Sequence, residues 1–108
     1  MSITICGSMR FKETMITVKK LLEAEGEECY LPEFEAKAMK HQLRRMHFGK
    51  IDTSDSILVV DRHYGDETGS YIGDDTRLEI AYAISQRKDI IFLSNNMNKK
   101  SGEPIRGL

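Results

Sequence analysis

The sequence has little cysteine, almost no net charge and no long apolar run. Its two cysteines, Cys6 and Cys29, sit in apolar settings without metal-ligand spacing. A disulfide framework takes more of them and a secreted context, so both are expected as buried free thiols. The net charge of −1 gives no global basic field, which argues against double-stranded nucleic acid as a partner. The longest apolar runs, such as Ile57–Val60 and Ile90–Leu93, are far too short to span a bilayer. Met1-Ser2-Ile3-Thr4-Ile5 has no basic n-region and no long apolar core, so no signal peptide is expected and the expected location is the cytoplasm. His41, His47 and His63 have no ligand spacing with one another, so neither a metal nor another cofactor is expected. There are no internal repeats and no low-complexity segment.

What is present fits one domain over residues 1–108, with an unassigned polar tail from Asn95 onward. Ile3-Thr4-Ile5-Cys6 reads as a strand meeting a turn at Gly7-Ser8. From Arg10 the spacing becomes helical, with Phe11, Met15, Val18 and Leu22 on one face and Gly26 as the stop. Glu28-Cys29-Tyr30-Leu31 reads as a second strand, closed by Pro32. Phe34 to about Thr53 reads as a helix, with Met39, Leu43, Met46/His47 and Lys50/Ile51 on adjacent turns and the Lys and Arg residues around them facing outward. Asp55 to Asp61 is nearly continuously apolar, as a central parallel strand should be. Arg62 to Gly73 reads as a surface loop, Thr76 to Gln86 as a third helix, and Asp89 to Ser94 as a fourth strand. This βαβαβαβ order predicts an α/β domain with three layers, flavodoxin-like or Rossmann-like. Its four-stranded parallel sheet should run 2-1-3-4, with the crevice at the carboxyl ends of strands 1 and 3.

Three places near that crevice carry chemistry. Gly7-Ser8-Met9-Arg10 offers a close backbone approach, a helix N-terminus, a hydroxyl and a guanidinium, which together suit a phosphate. The same Gly-Ser also makes an ordinary turn and N-cap. Tyr71-Ile72-Gly73-Asp74-Asp75-Thr76-Arg77-Leu78-Glu79 carries three carboxylates. Thr76-x-x-Glu79 forms a capping-box pattern, and Asp74 and Asp75 are cap candidates too; with Asp75 as the N-cap, Glu79 lies past the first turn and is free to react. His47 sits at the edge of an apolar face. It either packs there or points over the end of the sheet.

The chain resembles the nucleoside 2-deoxyribosyltransferase family, which includes the deoxynucleoside 5′-monophosphate N-glycosidases. Three segments within residues 2–94 carry the resemblance. Cys6-Gly7-Ser8-Met9-Arg10 is similar to the Gly-Ser-hydrophobic-Arg loop that holds a 5′-phosphate. Ile51-Asp52-Thr53-Ser54-Asp55 with the following Ser56-Ile57-Leu58-Val59-Val60 is similar to the Asp-plus-strand segment that leads into the site. Leu78-Glu79-Ile80-Ala81-Tyr82-Ala83, continuing to Ile91, is similar to the family's E-x-G-x-A helix and following strand, whose glutamate is the nucleophile. Two positions depart from the pattern: His47 stands where the family usually has a catalytic aspartate, and Ala81 stands in place of the glycine. The segment from Tyr64 to Gly73 is also longer than in the monophosphate glycosidases.

The resemblance implies cleavage of a nucleoside or nucleoside monophosphate at its N-glycosidic bond, by hydrolysis or by 2-deoxyribosyl transfer. Glu79 would attack C1′ and form a glycosyl ester. His47, Asp74 or Asp75 would protonate the leaving base. Gly7, Ser8, Met9, Arg10, Asp55, Tyr71, Gly73 and Thr76 would bind substrate, Tyr71 by stacking on the base or lining the pocket, and Asp55 either by holding its loop or by meeting a sugar hydroxyl. Open sheet edges and a short chain predict a homodimer or higher homo-oligomer. The alternative is a non-catalytic nucleotide-binding or sensor module using the same crevice. A phosphoacceptor receiver domain, suggested by Asp61 at the end of strand 3, lacks the acidic pair after strand 1. An NAD-cleaving enzyme would need the same kind of glutamate.

Overall fold

Side chains of the first strand alternate between two buried faces, and this alternation sets the layers. In the computed structural model, residues 1–34, 39–61 and 72–94 are described. Strand β1 (Ser2–Gly7) turns Ile3 and Ile5 to one side, against Phe11, Met15, Val18 and Leu22. It turns Cys6 to the other side, with Ile51 and Ala83. Strand β3 (Ser56–Val60) repeats the division, Leu58 and Val60 facing one way and Ile57 and Val59 the other. A strand buried on both faces has no polar side to alternate with, which is why it reads as a continuous apolar run.

Helix α1 (Lys12–Ala24) covers the first face, preceded by a short 3₁₀ turn at Met9–Phe11. Helices α2 (Lys40–Thr53) and α3 (Asp74–Ser85) cover the second. Strands β2 (Glu28–Tyr30) and β4 (Asp89–Phe92) complete a parallel sheet of order β2-β1-β3-β4. Cys6 pairs with Val59, and Val59 with Phe92. This is the expected three-layer α/β fold and strand order. The connections turn back between β1 and β3, so the chain leaves a crevice at the carboxyl ends of those two strands. Among the described residues no helix is long and apolar enough to cross a membrane.

Gly26 ends α1 as expected. It has φ +93° and donates to the Glu23 carbonyl, while Glu27 donates to that of Leu22. Three helix starts differ from the sequence reading. The helix after β1 begins at Lys12 rather than Arg10, because Ser8 first closes a tighter turn. The second begins at Lys40 rather than Phe34, and residues 35–38 lie outside those described. The third begins at Asp74, with Gly73 as its N-cap in extended conformation.

Candidate active site

That last shift decides the position of Glu79. With Gly73 as N-cap, Thr76 lies inside the first turn, and the Gly73 carbonyl accepts from the Arg77 N–H. The capping box between Thr76 and Glu79 therefore does not form, and neither Asp74 nor Asp75 is the cap. Thr76, Glu79 and Ala83 instead follow the i, i+3, i+7 spacing that places them on one stripe of α3. Thr76 and Ala83 are buried. The Glu79 side chain, carried on the same stripe, is 13% exposed.

A cavity of about 390 Å³ lies at the carboxyl end of β1. Gly7, Ser8 and Met9 form one wall, the Gly73 to Thr76 start of α3 another, and His47 and Glu79 line it as well. Three elements converge here. Cys6 from β1, His47 from α2 and Glu79 from α3 bring their sulfur, nitrogen and oxygen atoms within 4.8 Å of one another. His47 Nε2 lies 3.4 Å from Cys6 Sγ and 3.7 Å from Glu79 Oε1. Glu79 Oε1 and His47 Nδ1 are buried with no hydrogen-bond partner among the described residues.

Burial governs the protonation of all three. Removal from water pushes the Glu79 carboxyl up to about 8. The Cys6 thiol and the Arg44 guanidinium draw it down and Asp75 raises it, but burial dominates. The same removal from water lowers His47 to about 4, helped by the charge of Lys50 and opposed by that of Glu33. Cys6 is raised well above the ordinary thiol range, by burial first and then by Glu79.

The remaining candidates divide. Asp74 lines the cavity from the exposed start of α3. Asp75 lines it too, but both its oxygens are engaged: Oδ1 lies 3.0 Å from Arg44 Nη2 and Oδ2 3.3 Å from Lys40 Nζ. Ser8 takes the turn-and-cap role, its Oγ accepting from the Arg10 N–H at 3.2 Å. Gly7, Ser8 and Met9 line the cavity, whereas Arg10, two residues on from Ser8, is exposed and does not.

Asp55 is a correction. It precedes β3, so the parallel strand direction puts it at the amino end of the sheet, away from the crevice. There its Oδ2 accepts from the Ser2 N–H at 2.9 Å, tying β1 to β3. Asp61 accepts from the Ser94 N–H at 3.0 Å and from the Ser94 hydroxyl at 2.6 Å, which joins the end of β3 to the residues after β4. Tyr71 and His63 lie outside the described residues.

The sequence reading missed Lys40 and Arg44, which were expected to face outward. Both line the cavity. Their spacing with His47, i, i+4, i+7, was the available signal, because it puts all three on one face of α2. Nor does the sequence single out Cys6, which reads there only as a buried thiol. That description holds for Cys6 and Cys29 alike, but Cys6 is in addition a neighbour of Glu79.

No family model matches the sequence, and no curated protein matches it either. Solved structures do. A CMP N-glycosidase of Clostridium botulinum aligns with a TM-score of 0.61 at 19% identity, over 85% of this chain and 67% of that one. A 2-deoxyribosyltransferase of Leishmania mexicana aligns with a TM-score of 0.70 at 18% identity, over 99% of this chain and 75% of that one. The fold is that of the nucleoside 2-deoxyribosyltransferase-like proteins.

Proposed function

We propose that this chain, built on the deoxyribosyltransferase fold, cleaves the N-glycosidic bond of a nucleoside or nucleoside monophosphate with Glu79 as nucleophile. The observation that carries the reading is the Glu79 carboxyl: it lines the cavity from the buried stripe of α3, with Oε1 unpartnered beside the β1 loop. The two proteins of like fold act on substrates of this class, a CMP N-glycosidase and a 2-deoxyribosyltransferase.

In this mechanism ionised Glu79 attacks C1′ as the bond to the base breaks, and a glycosyl ester forms. Water then resolves the ester, or a second base accepts the sugar. Glu79 must first lose its proton, since its value near 8 keeps it neutral at neutral pH. The positive charge that develops at C1′ in the transition state favours the ionised carboxylate.

His47 acts on Glu79 rather than on the leaving base. Retaining glycosidases set their acid about 5–5.5 Å from the nucleophile, across the scissile bond. His47 Nε2 is only 3.7 Å from Glu79 Oε1 and the side chain is 4% exposed. With a value near 4 it is a neutral imidazole at neutral pH and a poor acid. It positions Glu79 and holds its environment dry. Asp75 is tied to Lys40 and Arg44, which leaves Asp74, at the exposed start of α3, to meet the base. Gly7, Ser8, Met9, Gly73 and Thr76 form the walls around the sugar.

The test follows free base release from deoxynucleosides and their 5′-monophosphates by the wild type, Glu79→Gln and Glu79→Ala. Both variants should lose release while retaining the fold. Release unchanged in both rejects the nucleophile. Nucleotide binding without release by the wild type assigns the crevice to a binding module.

A further inference from the structure

The meeting of Cys6, His47 and Glu79 has chemistry beyond glycosyl transfer. A thiol, an imidazole and a carboxylate from three different elements present single donor atoms within 4.8 Å of one another. A tetrahedral Zn²⁺ with bonds of about 2.3 Å to sulfur, about 2.0–2.1 Å to nitrogen and about 2.0–2.2 Å to oxygen holds sulfur and nitrogen about 3.5 Å apart, and nitrogen and oxygen about 3.3–3.5 Å apart. The corresponding separations are 3.4 Å for Cys6 Sγ to His47 Nε2 and 3.7 Å for His47 Nε2 to Glu79 Oε1. Two edges of the ligand frame are thus close to tetrahedral spacing before any ion is added, and the third, sulfur to oxygen, is no longer than 4.8 Å.

We propose that Cys6, His47 and Glu79 form a Zn²⁺ site, with a fourth position for water from the cavity that His47 and Glu79 line. The donor set favours this ion. Mg²⁺ and Ca²⁺ take oxygen ligands, whereas one thiolate, one imidazole and one carboxylate suit Zn²⁺. Glu79 Oε1, buried without a hydrogen-bond partner among the described residues, would coordinate the ion instead. Binding forms Zn–S, Zn–N and Zn–O bonds. The Cys6 S–H bond breaks, as does the Glu79 O–H bond where that carboxyl is protonated, and the protons pass to solvent. The imidazole keeps its proton on Nδ1, and no electron is transferred.

The site shares Glu79 with the proposed reaction, so a bound Zn²⁺ occupies the oxygen that would attack C1′ and opposes base release. This consequence rests on the proposed function; the ion site does not.

Cobalt(II) is the probe, added to metal-free protein. The wild type should bind one Co²⁺ per chain and show the near-ultraviolet thiolate-to-cobalt charge-transfer band together with the intense visible bands of four-coordinate cobalt, both bleached by Zn²⁺. Cys6→Ser should abolish the charge-transfer band. Glu79→Gln, which retains the thiol, should weaken binding at least tenfold while keeping the band at saturation. Cys29→Ser, altering the buried thiol on the other side of the sheet, should change neither. A wild type without the band, a band that survives Cys6→Ser, a band lost in Cys29→Ser, or unchanged affinity in Glu79→Gln overturns the site. Because the spectrum does not depend on any reaction of the protein, failure of the ion site and failure of the glycosidase reading are separable.

Discussion

Glu79 Oε1 stands 3.7 Å from His47 Nε2, with the two side chains only 13% and 4% exposed, and burial drives each towards its uncharged form. A carboxylic acid and a neutral imidazole in contact, rather than an ion pair, is the resting state that this burial dictates at neutral pH.

That state makes stability fall across neutral pH. The unfolded chain loses the Glu79 proton near the ordinary value of 4.5, while the folded chain keeps it to about 8, so stability declines between these values. His47 works the other way: the unfolded chain takes up a proton below 6.5 and the folded chain only near 4, so stability rises with pH over that range. The two oppose each other below pH 6.5, and Glu79 alone acts from 6.5 to 8. Its limiting slope is about 1.4 kcal/mol per pH unit. Urea midpoints measured across that window should fall in the wild type and stay level in Glu79→Gln. A level wild type would mean that Glu79 is already ionised in the folded chain.

The rate of base release should carry the same signature. Since only ionised Glu79 attacks, kcat/KM is expected to climb with pH and level off above about 8. A limb near the ordinary carboxylate range would show that the nucleophile is not this buried group.

Asp75 holds Lys40 and Arg44 at the cavity wall. These are half-exposed pairs, so Asp75→Asn should cost no more than about 0.5 kcal/mol of stability. It should, however, release two cations towards the cavity. The expected outcome is a lower KM for 5′-monophosphates with little change for the corresponding nucleosides. Equal changes for both would place the phosphate elsewhere.

Gly7 is fixed by close approach. A Cβ there would lie 3.1 Å from Met15 Sδ and 3.3 Å from Val60 Cβ. The methionine side chain is flexible, though fully buried, whereas Val60 is held in the central strand. Gly7→Ala is therefore expected to destabilise by about 1–2 kcal/mol, read as a lower denaturation midpoint.

Arg87 follows the Gln86 C-cap of α3 with φ 59°, the position that Gly26 occupies after α1. A side chain in this left-handed region costs about 1–2 kcal/mol, and glycine gives back about 0.5–1 kcal/mol through the unfolded chain. Arg87→Gly should raise stability by about 0.5–1 kcal/mol in the same denaturation experiment.

Periodicity and turn chemistry were sufficient for the fold, because both are local. Ile3, Ile5, Leu58 and Val60 declare strands by composition, the Phe11–Leu22 stripe declares a helix, and Gly26 declares its end. The order of strands follows from chain direction and the handedness of crossovers. The position of Asp55 was legible by the same logic, since a residue preceding a parallel strand lies at the closed end of the sheet. Helix starts were less legible. Asp and Thr both cap well, so Asp74, Asp75 and Thr76 competed on sequence alone; a cap at Thr76 makes Glu79 its partner, whereas the observed cap at Gly73, three residues earlier, leaves Glu79 free.

By itself the sequence determined a parallel three-layer domain, and its resemblance to the deoxyribosyltransferase family brought Glu79 forward as the candidate nucleophile over a capping role. Only the tertiary structure brought Cys6 to His47, 41 residues apart, and set both against Glu79. The reason is physical. Periodicity reports which face of an element is apolar, but proton affinity and ion binding depend on what other elements place beside a group once water has been excluded.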